Sequence, residues 1–265
     1  MAKFGIVSLR LGLAAVALCG GLTLARAQDS TLRVGSSGSD IATLDPHRAS
    51  QTTDKVLVGW MFNGLVRFPP GSADPKDIEP DLAERWQSSP DSKTWTFFLR
   101  RGVKFHGAWG ELTADDVIYS LTRSGDAKRS TFASDFSAID KLVKIDDYTV
   151  RIELKYPDAG FLGRVPNYHG GNIVSRKADE QLGAKFAINA IGTGPFAFAE
   201  HVTQQHVKLV AHDGYFRGKP RIAEIVYKMI PTDSARDLAF ASGELDLIYG
   251  RREQRWVDSQ RRRPN

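Results

Sequence analysis

The sequence predicts an α/β fold, and three observations carry that reading. Short runs of period-two alternation recur, with Val150, Ile152 and Leu154 set against Arg151, Glu153 and Lys155. Stretches with helical spacing lie between such runs, as with Leu57, Trp60 and Met61 behind Thr53-Asp54. Strand and helix alternate along the chain, the order in which layered α/β lobes are built. At 265 residues there is room for one or two domains, and neither an internal repeat nor a low-complexity linker interrupts the chain.

The elements follow in chain order. Residues 1–27 read as an export signal peptide: Lys3 and Arg10 are basic, 11–24 are apolar or small and uncharged, and Ala25-Arg26-Ala27 offers a small-x-small cleavage pattern. The apolar run is shorter than the ~20 residues that span a bilayer. Leu18 precedes Cys19 where a lipoprotein signal carries a small residue, so no lipid anchor is expected there. Cleavage after Ala27 removes the single cysteine, leaving an exported chain stabilised by core burial rather than by disulfides.

Leu32 and Val34 then alternate as a first strand, followed by the small polar loop 36–39. Thr53 and Asp54 are expected to cap the helix that carries Leu57, Trp60 and Met61, with Gly64 at its stop. Leu65-Val66-Arg67-Phe68 returns to strand, and 81–86 reads as a short helical or turn segment. Trp95, Phe97 and Leu99 alternate as a half-buried strand, and Arg101-Gly102 reads as a turn because glycine takes positive φ without steric cost. Thr113 caps the next helix, Asp115 and Asp116 suit its dipole, and Val117, Ile118 and Leu121 share one face. Val207 with Leu209, and Ile225 with Tyr227 and Met229, give two further strands. A helix opens at 234–237 and closes at Gly243, and 245–248 is the next strand.

Charge and chemistry exclude several function classes. The formal net charge is +5 with a pI near 9.3; the leader supplies three of those charges and the six arginines of 251–265 exceed Glu253 and Asp258 by four, so the body is about −2. A positive excess at two termini is not a nucleic-acid surface. The chain contains no G-x-S-x-G, H-E-x-x-H or P-loop pattern, and helix capping accounts for Asp115-Asp116. His201 and His206 are poorly spaced for one face, so neither a metal nor a cofactor is expected. Trp60, Trp86 and Trp95 sit in apolar patterns that suit core packing, whereas Trp109 lies in a glycine-flanked polar loop and is the exposed aromatic most open to ligand contact.

Residues 81–121, DLAERWQSSPDSKTWTFFLRRGVKFHGAWGELTADDVIYSL, concentrate strand, turn and capped helix in one block. The block also reads as scaffold, but it resembles a segment of the family 5 extracellular solute-binding proteins, the dipeptide-, oligopeptide- and nickel-binding subunits of ABC importers. Leu44-Asp45-Pro46-His47 with Phe62-Asn63-Gly64-Leu65 resembles the family's opening motif, and Gly192-Thr193-Gly194-Pro195-Phe196 its G-T-G-P-aromatic motif. Residues 212–220, HDGYFRGKP, resemble its N-P-x-Y-W-x-G-K-P segment, with His212 and Asp213 departing from Asn-Pro; 239–248 resemble its A-x-x-x-G-E-x-D-I stretch. Five motifs in family order span 31–250.

The resemblance implies an incomplete type II periplasmic-binding-protein fold: one α/β lobe from 28–46 and 172–250, an inserted β-rich α+β domain over 47–171, and a basic tail over 251–265. The second ligand-binding lobe would follow residue 250, so the chain is expected to be an N-terminal portion that binds peptide weakly by itself. The implied function is periplasmic capture of a peptide-like solute by a monomer that delivers it to ABC permease subunits in the inner membrane, without catalysis. A secreted hydrolase with a dispersed active site and a gene fragment without function are the alternatives. In peptide-binding relatives the loop after L-D-P-H runs along the ligand, which points to Ser50, Gln51 and Thr52 through backbone hydrogen bonds; a solvated loop leading into a capped helix fits those residues equally. Thr193 and Gly194 are candidates for close ligand approach or for a structural turn. The family's carboxylate for the ligand ammonium belongs to the second lobe, so no residue here inherits it.

Overall fold

Two sheets organise the chain, which is described over residues 30–166, 168, 170–251 and 253–262 in this computed structural model. The segment expected to be a signal peptide, with Cys19 and Ala27, lies outside the described residues. In chain order the elements are β1 (Thr31–Ser36), α1 (Thr52–Met61), β2 (Val66–Arg67), β3 (Glu79–Pro80), β4 (Ala83–Ser88), β5 (Thr94–Leu99) and α2 (Ala114–Ser124). There follow β6 (Ile139–Asp146), β7 (Thr149–Leu154), α3 (Arg176–Leu182), β8 (Phe196–Val202), β9 (His206–Ala211) and β10 (Glu224–Met229). The described chain closes with α4 (Asp233–Ala241), β11 (Leu247–Ile248) and α5 (Gln254–Arg261).

The first sheet has the order β11-β1-β10-β9-β8. β1 runs parallel to both neighbours, with Val34 opposite Tyr227 and Leu247. β9 and β8 continue the sheet antiparallel. The alternation read from Ile225, Tyr227 and Met229 turns those three side chains inward, with Val207 and Leu209 beside them. Trp60 of α1 meets the Tyr227 ring edge-on, with centroids 6.0 Å apart. Such edge-to-face pairs contribute about 0.5–1.5 kcal/mol beyond the area they bury.

The second sheet, β4-β5-β7-β6, is antiparallel throughout. Its buried side is Trp95, Phe97 and Leu99 from β5 with Val150, Ile152 and Leu154 from β7, and α2 lies against β6 and β7. One apolar core runs continuously from Val34 and Tyr227 under the first sheet to Phe97 and Ile152 under the second. No helix among the described residues is long and apolar enough to cross a membrane.

Several local expectations are corrected. Residues 83–88 form β4 rather than a helical turn, because Trp86 and Ser88 complete a ladder with Phe97 and Trp95. α1 has Gln51 at its N-cap without a side-chain cap bond; Thr53 and Asp54 lie inside the first turn, and Asp54 Oδ1 accepts from the Ala42 N–H at 3.1 Å. That helix stops at Phe62, while Gly64 bridges to Asn172 instead. At α2 the capping box forms as Thr113 with Asp116, whose carboxylate accepts the Thr113 N–H at 3.0 Å. The expected strand over 245–248 pairs only as Leu247–Ile248. Residues read only as a basic tail carry α5, whose Trp256 donates from Nε1 to Asp237 at 3.0 Å and covers Gly250, where a Cβ would lie 2.6 Å from the indole. On that side Leu238, Phe240, Leu247 and Tyr249 are exposed.

The polar centre of the fold is Arg123, which is 6% exposed. Its Nη1 and Nη2 donate to the two Asp45 oxygens at 2.8 and 2.5 Å, and Nη1 also donates to His47 Nδ1 at 2.7 Å. Nε lies 2.9 Å from Asp179 Oδ2, which also accepts from Tyr119 at 2.7 Å and Arg129 at 2.5 Å. Burial pushes the Asp45 carboxyl up, but the hydrogen bonds and charge of Arg123 outweigh it and hold the group below its ordinary value. His47 Nε2 donates to the Asn172 carbonyl at 2.9 Å, so its ring is fully used as the neutral form.

Removing the guanidinium in Arg123→Ala leaves the buried Asp45 carboxylate without its close cation, while Asp179 keeps Arg129 and Tyr119, and urea denaturation should show a loss of about 3–5 kcal/mol. Burial and the Arg123 charge bring the pKa of His47 down from 6.5 to about 4, and burial brings His106 to about 4 as well. Both stay neutral in the folded chain while the unfolded chain protonates, so stability should fall as pH drops from 6.5 toward 5. The pH dependence of the urea midpoint over that window should correspond to uptake of up to about two protons on unfolding.

Candidate functional site

In open α/β sheets, ligands sit outside the carboxyl ends of the strands. Here that edge is formed by β1 ending at Ser36, β10 at Met229 and β11 at Ile248. The loop leaving β1 is clamped onto the first turn of α1: a Cβ at Gly38 would lie 2.7 Å from Thr53 Cγ2, and the Ala42 N–H is held by Asp54. Asp40 in the same loop accepts the Gln204 N–H at 3.1 Å and lies 2.8 Å from His201 Nε2, which fixes the loop to the β8–β9 hairpin.

Ser50, Gln51 and Thr52 are exposed beside this edge, two of them leading into α1 and Thr52 opening it. An apolar cleft of about 330 Å³ lies between α1 and β11, lined by Val34, Val56, Trp60, Leu247, Ile248 and Tyr249. The apolar lining suits the apolar group of a small solute, and the Gln51 carbonyl at the head of α1 already accepts from the Lys55 N–H at 3.0 Å. Among the described residues no group of three or more His, Cys, Asp and Glu could hold a metal ion.

Thr193 and Gly194 lie elsewhere, in a buried polar cluster. Thr193 is 0% exposed and its hydroxyl donates to Asn63 Oδ1 at 3.0 Å. The Gly194 N–H donates to the Met61 carbonyl at 2.9 Å, and its own carbonyl accepts from His106 Nε2 at 3.0 Å and His212 Nδ1 at 3.2 Å. Asn63 Nδ2 donates to both Asp81 oxygens at 3.1 and 3.0 Å, and Arg217 Nη2 donates to Asp81 at 3.1 Å. Burial pushes the Asp81 carboxyl up, against the hydrogen bonds of Asn63 and the charge of Arg217. The motifs around 62–65, 81–86, 192–196 and 212–220 therefore meet at one point. Trp109 is half-buried and packs against the core, so it does not stand free in its loop as expected.

Sequence reasoning placed Trp60 in the core and missed Val56 and Tyr249. The available signal was position: Tyr249-Gly250 directly follows the last predicted strand, at a carboxyl end.

The family model "Bacterial extracellular solute-binding proteins, family 5 Middle" matches residues 77–263. The chain belongs to family 5 of the bacterial extracellular solute-binding proteins. The dipeptide-binding protein of Escherichia coli K12 is 33% identical over 261 residues, covering 91% of this chain and 48% of that protein. Among solved structures, MoaA from A. tumefaciens R10 in complex with mannopinic acid matches with a TM-score of 0.85 and 44% identity, covering 86% of this chain and 46% of that one. The periplasmic binding protein DppA of Helicobacter pylori, in complex with the peptide STSA, gives 0.79 and 28%, covering 89% and 49%. The fold is that of the type II periplasmic binding proteins, and the chain spans about half the length of the relatives it matches. The family is one of binders rather than enzymes.

The family glycine at 194 has a steric reason that can be measured. A Cβ there would lie 2.4 Å from the Met61 carbonyl carbon. Gly194→Ala should lower stability in chemical denaturation by about 1–3 kcal/mol, as α1 is forced off the turn.

Proposed function

We propose that the chain acts as the periplasmic solute-binding subunit of an ABC importer, capturing a small peptide-like solute and handing it as a monomer to membrane permease subunits. Family membership over residues 77–263 carries this reading, and the open cleft at the carboxyl edge of the first sheet supports it. In this reading Ser50, Gln51 and Thr52 offer backbone hydrogen bonds to the solute, and Trp60 and Tyr249 pack against its apolar part. Thr193 and Gly194 act at one remove by holding the end of α1, and Trp109 braces the core. The lobe comprises 28–46 and 172–250 with 47–171 inserted; α1 rides on the lobe's sheet although it lies within that inserted range.

A second ligand reading rests on one observation. The MoaA complex with mannopinic acid is 44% identical to this chain, against 33% and 28% for the dipeptide-binding protein and the peptide-bound DppA. A solute of the mannopinic acid type therefore stands beside peptide.

Both readings are tested by following the Trp60 indole signal in NMR during titration of the full chain with dipeptides and with mannopinic acid. The indole should shift with one of the two ligand classes, and no product should form. Turnover of either compound would point to an enzyme. An indole signal indifferent to both at millimolar concentration would sink the proposal.

A further inference from the structure

A second cleft, of about 480 Å³, opens between the turn at 45–48, the end of α2 and the segment after α3. The proposed solute site does not use it. Its lining includes Arg48, Arg123 and Arg129 together with Asp45, Asp179 and Phe186. Three guanidiniums thus face two carboxylates. His47, which accepts from Arg123 behind the cleft, is neutral and contributes no charge. The lining carries one positive charge in excess.

The donors are also in excess. A guanidinium presents five N–H groups in a rigid fork. Arg123 forms the floor, 6% exposed, with Phe186 packed against it at 5.7 Å from the ring centroid. Arg129 is less buried and uses one nitrogen, Nη2, for both Tyr119 at 3.0 Å and Asp179 at 2.5 Å. Arg48 is the most exposed of the three; its Nη2 donates to the Lys128 carbonyl at 2.9 Å, and its Nε is a marginal 4.0 Å from Asp45. The two aspartates orient the guanidiniums without exhausting their donors.

We propose that this cleft is a binding site for a small oxyanion, a phosphate or a carboxylate, seated between Arg48 and Arg129 above Arg123. One anionic group balances the excess charge and takes the remaining fork donors in charge-assisted hydrogen bonds. The aspartates limit the site to a single small anion, since a larger polyanion would meet their charge. This site is independent of the solute reading and stands or falls separately.

The test is thermal melting of the full chain in inorganic phosphate, with acetate as the carboxylate arm and chloride at matched ionic strength as the control. Phosphate or acetate should raise the melting temperature along a saturating curve that chloride does not reproduce. Arg48→Gln removes an exposed guanidinium together with its hydrogen bond to the Lys128 carbonyl, so its own melting temperature in chloride is the baseline for its anion response. It should need about tenfold more anion for the same rise, the equivalent of one charge-assisted hydrogen bond. Arg129→Gln should weaken the response similarly. No rise above chloride, or an anion midpoint unchanged in Arg48→Gln, overturns the proposal.

Discussion

The arrangement depends on one buried charge, the Arg123 guanidinium. It stands on α2 yet is held by Asp45, ahead of α1, and by Asp179, on α3. A cation in that position is strongly destabilised unless its partners reach it with good geometry. The partners are in turn tolerated only because the cation is there. The requirement fixes the lead into α1, and with it the carboxyl edge where the apolar cleft opens. Apolar packing supplies most of the stabilising free energy of the two sheets, but it is permissive about register. The ion cluster is not permissive, and it decides how α1, α2 and α3 stand to one another.

The second polar cluster explains why the family motifs are recognisable yet silent about ligand. Asn63, Asp81, Thr193 and Arg217 come from four separate motifs and satisfy one another's hydrogen bonds. Buried polar groups tolerate few substitutes because an orphaned donor or acceptor costs about 1–3 kcal/mol. The His106 and His212 rings, edge-on at 5.0 Å, share the Gly194 carbonyl and extend the cluster. His212, which stands where the family motif has Asn, donates from Nδ1 to that carbonyl at 3.2 Å.

Much of the fold was legible because it is local. β5, β7, β9 and β10 show their period directly, and the α2 capping box is written in Thr113 and Asp116. What escaped was set by distant partners. β4 carries only weak alternation and becomes a strand because β5 lies beside it. The strand read over 245–248 is present, but its two-residue length was not legible, since only Leu247 and Ile248 pair with β1. The start of α1 was misplaced because Asp54, a good cap residue by type, is drawn instead to the Ala42 N–H. For the candidate site, Ser50, Gln51 and Thr52 are exposed at the entry to α1, whereas the burial of Thr193 depends on Asn63, 130 residues away in sequence. Trp60 and Tyr249 meet across a cleft that no single stretch of sequence displays.

The position of β1, enclosed between β11 and β10, bears on timing. Its neighbours lie nearly the whole chain away: Thr31 pairs with Glu224, and the Arg33 guanidinium holds Asp246 across 213 residues. The first sheet cannot close until its last strands exist, because loop-closure entropy must be met before such distant contacts stabilise anything. The N-terminal strand therefore waits, unpaired, while the rest of the chain is made. Topology itself thus makes assembly of this sheet an ordered event, in which the leading segment docks only once the trailing segment has arrived.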